Sequence, residues 1–123
     1  MKKISLIALL LSVFMFAMAG GPAIKFEETT HDFEVVNENG GAVKYDFVFE
    51  NTGDEPLVIN NVRASCGCTT PEWTKTPVEP GDKGIVTVAY NPQARPGAFS
   101  KAITVTSNGE TIVLSIKGRV EKE

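Results

Sequence analysis

The chain has 123 residues, a formal net charge of −3 and 42% hydrophobic residues. This length predicts a single domain that buries roughly two-thirds of its unfolded surface around one core. The modestly acidic balance argues against nucleic acid or an anionic membrane as the main partner.

The first 19 residues have the three-part layout of a secretory signal peptide. Lys2 and Lys3 precede an almost unbroken apolar run over residues 4–16, and residues 17–19 read Ala-Met-Ala, a cleavage pattern. The apolar run is shorter than the roughly 20 residues that a membrane-spanning helix needs. We therefore expect a signal peptide over residues 1–19, a mature domain over residues 20–123 with a net charge of −5, and no membrane span after cleavage. The domain is expected in the periplasm or the extracellular space.

The mature chain is predicted to form one short strand after another. Apolar and polar side chains alternate over residues 43–50, which is the period of a half-buried strand. The apolar positions change parity at Asn60 and Asn61, which predicts a β-bulge just before the cysteines. Asn108 and Gly109 form a strong hairpin signal. The predicted strands are residues 24–28, 32–36, 43–50, 57–64, 84–90, 98–107 and 112–120.

This pattern predicts an all-β fold. No part of the mature chain shows helical periodicity over a helix-length window. About seven short strands joined by Gly, Pro and Asn turns are typical of an antiparallel sandwich or barrel. At this length we expect an immunoglobulin-like antiparallel β-sandwich.

The sequence contains no recognisable catalytic, phosphate-binding or dinucleotide-binding motif. The single histidine, His31, has no evident partner for acid–base chemistry and is predicted to lie in a turn. We therefore expect a protein without enzymatic activity, and we expect no catalytic residue, no cofactor and no metal site.

Cys66 and Cys68 are the only cysteines, and Gly67 alone separates them. In an extended segment their Cα atoms would lie roughly 6.5 Å apart, near the long end of the disulfide range. A turn at Gly67 would bring them closer, and we expect the turn to use the unusual φ and ψ angles that glycine accepts. A disulfide across so small a loop adds at most about 1.6 kcal/mol of stability. The sequence leaves open a disulfide that is easily reduced, free or cross-chain thiols, and a soft metal such as Cu(I). Zinc is disfavoured within one chain, because His31 is the one further nitrogen or sulfur ligand of the usual kind.

Residues 49–57 (Phe-Glu-Asn-Thr-Gly-Asp-Glu-Pro-Leu) and residues 65–70 (Ser-Cys-Gly-Cys-Thr-Thr) resemble the bacterial family of unknown function 1573. The resemblance extends over roughly residues 26–120. That family is related to Hydin-type and major-sperm-protein-type immunoglobulin-like domains. The resemblance implies an exported immunoglobulin-like sandwich of bacterial envelopes and places Cys66 and Cys68 in the family's Cys-Gly-Cys motif. It implies no reaction, ligand or catalytic residue.

The leading hypothesis is a non-catalytic binding or scaffolding module of the envelope that contacts a protein partner. Sheet edges or the segment from Cys66 to Trp73 would form the contact surface, by strand addition or by loop docking. Trp73 is interpreted either as an aromatic side chain that covers the end of the core or as an exposed anchor for the partner. The alternative is a thiol-redox or copper-handling domain that uses Cys66 and Cys68 as paired thiols.

Overall fold

The computed structural model describes residues 20–122, so the predicted signal peptide lies outside the described residues. Within that range the chain forms eight strands and no helix. The strands are β1 (Ile24–Phe26), β2 (Thr30–Asn37), β3 (Val43–Asn51), β4 (Ile59–Ala64), β5 (Thr69–Trp73), β6 (Lys83–Tyr90), β7 (Gly97–Ser107) and β8 (Ile112–Glu121).

The strands are arranged in two four-stranded sheets. Sheet A has the order β1-β3-β6-β5, and sheet B has the order β2-β8-β7-β4. The chain passes from one sheet to the other at five of its seven connections: β1 to β2, β2 to β3, β3 to β4, β4 to β5, and β6 to β7. Each of the four edge strands adjoins at least one of these crossovers. Each sheet therefore has two long inner strands and two edge strands.

The core lies between the inner faces of the two sheets. Successive side chains of a strand point to opposite faces, and the inward set includes Phe47 and Phe49 of β3 and Ile103 of β7, all of them fully buried. Tyr90 of β6 stacks on Phe99 of β7, with ring centroids 4.0 Å apart and an interplanar angle of 9°. This stack joins the two sheets at the end of the sandwich where β6 finishes and β7 begins.

The structure confirms the all-β class and the bulge, since the pairing of β4 with β7 shifts register between Ile59 and Asn61. The predicted strand set was one short, because residues 69–73 lay outside the predicted strands and in fact form β5. A proline is tolerated in β5 because β5 is an edge strand, where a missing N–H need not break a ladder bond.

The expectation of a fully antiparallel fold was wrong for one pair of strands. β2 runs parallel to β8, whereas the other paired strands are antiparallel. The link over residues 27–29 carries the chain from sheet A to sheet B without reversing its direction, and β2 therefore meets β8 in the same sense. His31, predicted in a turn, lies in β2, where its ring stacks on Tyr45 with centroids 3.7 Å apart.

Candidate functional site

The cysteines lie in the short crossover from sheet B to sheet A. β4 ends at Ala64 and β5 begins at Thr69. The amide N–H of Thr69 donates to the carbonyl of Cys66 at 3.3 Å, which closes a four-residue β-turn. This turn brings the Cα atoms of Cys66 and Cys68 to 5.4 Å, inside the usual disulfide range, and their sulfur atoms are joined in a disulfide.

The two sulfur-bearing side chains differ in exposure. Cys68 is only 5% exposed and belongs to the buried core, whereas Cys66 is partly exposed and packs against the core from its edge. A reagent that approaches from solvent therefore reaches Cys66 first.

Each sulfur atom has a hydrogen-bond donor beside it. The amide N–H of Cys68 donates to Cys66 Sγ at 3.2 Å. The hydroxyl of buried Thr69 lies 3.6 Å from Cys68 Sγ and 4.0 Å from Cys66 Sγ, and it must be the donor because disulfide sulfur carries no proton. These donors are in place to stabilise negative charge on either sulfur if the bond is opened, since hydrogen bonds to ionised acceptors are the stronger ones.

The turn does not use the conformational freedom of its glycine, contrary to the expectation from sequence. Gly67 is not among the residues with positive φ, and a Cβ placed on it would meet no heavy atom within 4 Å. Any L-residue could adopt this backbone. The space beside Gly67 is therefore open, and the disulfide can be approached from that side.

β7 has 11 residues, whereas its neighbouring edge strand β4 has 6, so β7 extends beyond the end of β4. In the last pair between them, the N–H of Ser65 donates to the carbonyl of Ala102 at 2.9 Å, and the N–H of Ala102 donates to Ser65 Oγ at 3.2 Å. Backbone groups alternate along a strand, so Ala98 and Ser100 direct their N–H and C=O groups to the same side as Ala102.

We call Ala98 and Ser100 the open β7 edge. Both residues are exposed, and over residues 20–122 no hydrogen bond reaches their outward backbone groups. This edge begins where the chain turns away from sheet B at Cys66. The unpaired backbone groups and the disulfide are thus neighbours at one corner of the fold.

β3 likewise continues beyond its edge strand β1, with 9 residues against 3. The final bond between them runs from the N–H of Glu27 to the carbonyl of Val48 at 3.0 Å. By the same alternation, Lys44 and Asp46 direct backbone groups to that side, and no residue of the described range 20–122 pairs with them; we call these two residues the open β3 edge. Both open edges lie at the end of the sandwich that the Tyr90–Phe99 stack marks.

The outer edge of β5, on the other side of the disulfide, offers few backbone donors for pairing. Hydrogen bonds with the β6 side involve Cys68 and Thr74, so alternation turns the backbone of Thr69, Pro71 and Trp73 outward. The Thr69 amide is already used within the turn, and Pro71 has no N–H to donate. Such an edge is poorly suited to adding a strand.

Trp73 lies at the end of β5, where it is partly buried and packs against the core. Lys75 Nζ lies 4.1 Å from the centroid of the indole ring and covers it. The ring is thus partly occupied by contacts within the chain, and its role as a partner anchor stays a prediction.

Ionisable groups form no metal cluster in the part of the chain that the structure describes: no three His, Cys, Asp or Glu side chains lie close enough to hold an ion.

The hydroxyl of Tyr45 donates to Glu28 Oε1 at 2.6 Å, and this bond raises the pKa of Tyr45 above 10.0. Burial likewise raises the pKa of Tyr90.

Across residues 20–122 no helix is long and apolar enough to cross a membrane.

Sequence reasoning found the cysteines but missed Thr69 and the open β7 edge. One signal pointed to that edge. Lys101 has the inward parity of Phe99 and Ile103 yet carries a charge, and it is half-buried one residue beyond the last pair with β4. A charged residue at an inward position indicates that the neighbouring strand stops there.

Comparisons with known proteins identify a family and a fold. The sequence model described as "Protein of unknown function (DUF1573)" matches residues 24–120. A search of curated proteins found no match.

Three solved structures illustrate the likeness. The first is a protein of unknown function from Porphyromonas gingivalis W83, with a TM-score of 0.72 and 18% identity over 83% of this chain. The second is the secreted serine protease VesC from Vibrio cholerae, with a TM-score of 0.58 and 13% identity over 80% of this chain. The third is a family 123 glycoside hydrolase from Clostridium perfringens, with a TM-score of 0.62 and 12% identity over 85% of this chain. At these identities the likeness is one of fold alone. The chain spans 48% of the first protein, 23% of the second and 28% of the third.

Proposed function

The chain belongs to the DUF1573 family of unknown function, and from that premise we propose that it is an exported, non-catalytic module that binds or scaffolds a protein in the bacterial envelope. One observation carries the proposal: at one end of the sandwich, β7 and β3 continue beyond their edge strands and leave backbone groups unpaired. Unpaired strand edges are sites where another chain adds a strand.

The immunoglobulin-like type of the sandwich is part of this proposal. Its support is the division into two four-stranded sheets in which the chain passes from an edge strand of one sheet to an edge strand of the other, at β1–β2 and at β4–β5. The three-part layout of residues 1–19 supports export. The Cys66–Cys68 disulfide fits the same view, because disulfides persist in oxidising compartments such as the periplasm.

The open β7 edge is the preferred docking site. A partner segment in strand conformation would receive hydrogen bonds from the N–H groups of Ala98 and Ser100 and donate to their carbonyls. The side chains of these two residues are small. They line a shallow groove of about 430 Å³ on the outer face of sheet B, together with Val35, Lys117 and Arg119. Main-chain bonds would supply affinity, and the groove would accept partner side chains.

A second candidate is the thiol-redox or copper-handling domain. The observation that favours it is a partly exposed disulfide with a hydrogen-bond donor beside each sulfur. In its reduced state the same pair offers two soft ligands to Cu(I). Copper uptake by the reduced protein, measured against a Cys66→Ser variant, distinguishes a copper-handling function from a thiol-redox function.

The docking proposal is tested by placing a photo-crosslinking amino acid at Ser100 in the cell that makes the protein. We expect a discrete cross-linked product that disappears when Ala98→Pro is added, because proline removes an outward N–H without touching the bonds to β8. Ala98→Ser is the matched control and should retain the product. Loss of the product with Trp73→Ala but not with Ala98→Pro would move the contact surface to β5, and equal cross-linking in all variants would exclude strand addition at β7.

A further inference from the structure

We propose that the Cys66–Cys68 disulfide is a thiol–disulfide exchange site, and that its substrate is a cysteine thiol on an extended polypeptide lying along the open β7 edge. This inference deepens the redox candidate and takes from the docking proposal only the place where the substrate lies. It assigns a different role to each cysteine.

Cys66 is the sulfur that the substrate attacks. Its side chain is partly exposed, whereas that of Cys68 is 5% exposed, and a Cβ at the intervening Gly67 would meet nothing within 4 Å. Access to one sulfur and not to its partner decides which of them an external thiolate reaches, since exchange depends on which sulfur is attacked.

The exchange step balances without a further reactant. The substrate thiolate forms a new S–S bond with Cys66 Sγ, the bond between Cys66 and Cys68 breaks, and its electron pair leaves on Cys68 Sγ. The hydroxyl of Thr69, 3.6 Å from that sulfur, donates to the departing thiolate. A second thiolate on the substrate then attacks the substrate sulfur of the mixed disulfide, the bond from that sulfur to Cys66 Sγ breaks, and its electron pair leaves on Cys66 Sγ, which the amide N–H of Cys68 is placed to stabilise. The substrate is oxidised by two electrons, and the cysteine pair is reduced by two and gains two protons.

The fold places the substrate beside the sulfur that it attacks. Ser65 forms the last pair with Ala102, and at Cys66 the chain leaves the line of β4. A strand bound along Ala98 and Ser100 would lie where β4 would have continued, so its nearer end meets Cys66. The β5 edge lacks two of its three outward N–H donors, those of Thr69 and Pro71, so the open β7 edge is the better pairing surface beside the disulfide.

The disulfide is poorly suited to a purely structural role. Closing a loop of this size removes little entropy from the unfolded chain and so adds little stability, and the turn already has its own hydrogen bond from Thr69 to Cys66. The fold should therefore survive opening of the bond, as an exchange site requires.

Kinetics of reduction test the reactive disulfide. With excess dithiothreitol under native conditions, we expect a rate proportional to thiol concentration and an unchanged far-UV circular dichroism spectrum. Thr69→Val should slow reduction about tenfold, the effect of losing one hydrogen bond to a charged group, whereas exposed Thr70→Val should not. A rate independent of thiol concentration means that unfolding limits reduction and overturns the proposal, as does equal reduction of the two variants.

Trapping tests the roles of the two cysteines. The disulfide form is mixed with a short Val- and Thr-rich peptide that carries one cysteine, and freed thiols are alkylated at once. Mass spectrometry should find the peptide on Cys66 and the alkyl group on Cys68. The reverse assignment, or an equal mixture, contradicts the proposal.

A comparison of substrates separates this proposal from the docking proposal. The peptide should react faster than glutathione with the wild type, and Ala98→Pro should bring the ratio of the two rates close to one, whereas Ala98→Ser should keep the wild-type ratio. Slow reaction of both thiols overturns the exchange site and leaves docking intact. Equal rates for both thiols overturn the substrate assignment.

Discussion

Ser65 and Ala102 form the last hydrogen-bonded pair between β4 and β7, with the N–H of Ser65 bound to the Ala102 carbonyl at 2.9 Å and the N–H of Ala102 bound to Ser65 Oγ at 3.2 Å. A side-chain oxygen thus replaces a backbone carbonyl at the point where β4 ends. This replacement lets the chain turn toward sheet A at Cys66 without leaving the Ala102 amide unpaired.

Ser65→Ala should destabilise the end of β4. The N–H of Ala102 loses its acceptor in a solvent-accessible position, and the expected cost is about 1 kcal/mol. Urea denaturation of wild type and variant measures it. Ser100→Ala is the matched control, because no side-chain hydrogen bond of Ser100 is present in the described chain. An equal loss in both variants would contradict the role given to Ser65.

Asn51→Ala should be among the more damaging single changes. Asn51 is fully buried, its Nδ2 donates to the carbonyls of Glu55 and Val78 at 2.7 and 2.9 Å, and its Oδ1 accepts from the N–H of Gly53 at 2.9 Å. Removing the amide leaves these backbone groups unpaired, and we expect a loss of about 3 kcal/mol in unfolding free energy. The exposed Asn61→Ala serves as control and should change it by less than about 0.5 kcal/mol. Similar values for both variants would show that the network does not hold the β3–β4 connection.

Two glycines should respond differently to alanine. A Cβ on Gly84 would lie 2.5 Å from Cζ of Phe49, so Gly84→Ala overpacks the core and should cost about 1–3 kcal/mol. Gly67→Ala meets nothing within 4 Å and should leave stability unchanged within about 0.5 kcal/mol. Thermal denaturation of the two variants side by side checks this, and a larger loss for Gly67→Ala would mean that the turn does require glycine.

Stability should fall in alkaline solution. The folded-state pKa values of Tyr45 and Tyr90 are raised, the first by its bond to Glu28 and the second by burial. A raised pKa means that the folded state holds the proton more tightly, so this contribution is full below the unfolded value of about 10 and is lost as pH rises through the folded values. Ultraviolet titration of tyrosinate should show both groups ionising above pH 10, and Tyr45→Phe should remove one of them. Ionisation of both groups at the ordinary pKa in the folded protein would contradict the assignment.

Local patterning predicted much of the fold. Period-two alternation located β3, β6, β7 and β8, and a change of parity at Asn60 and Asn61 located the bulge. β5 was missed because a strand interrupted by Pro71 lacks that alternation. The parallel pairing of β2 with β8 depends on how a three-residue link crosses between sheets, and single-strand patterns carry no information about it.

The candidate site was predictable only in part. The spacing of Cys66 and Cys68 indicated a disulfide-competent pair, and the inward parity of Lys101 hinted at a strand end. The position of the Thr69 hydroxyl beside the disulfide and the open edge at Ala98 and Ser100 both depend on where β4 stops relative to β7. Such relative strand lengths follow from tertiary pairing and not from the local sequence.

A partner strand added to the open β7 edge would protect the outward amides of that edge, and residue-resolved amide hydrogen exchange measures this protection. The mature protein is measured by nuclear magnetic resonance alone and in complex with the partner cross-linked through Ser100. In the complex we expect slower exchange at the amides of Ala98 and Ser100 and no change at Phe99, whose amide already faces β8. Unchanged exchange at Ala98 and Ser100 with the partner bound would mean that no strand is added at this edge.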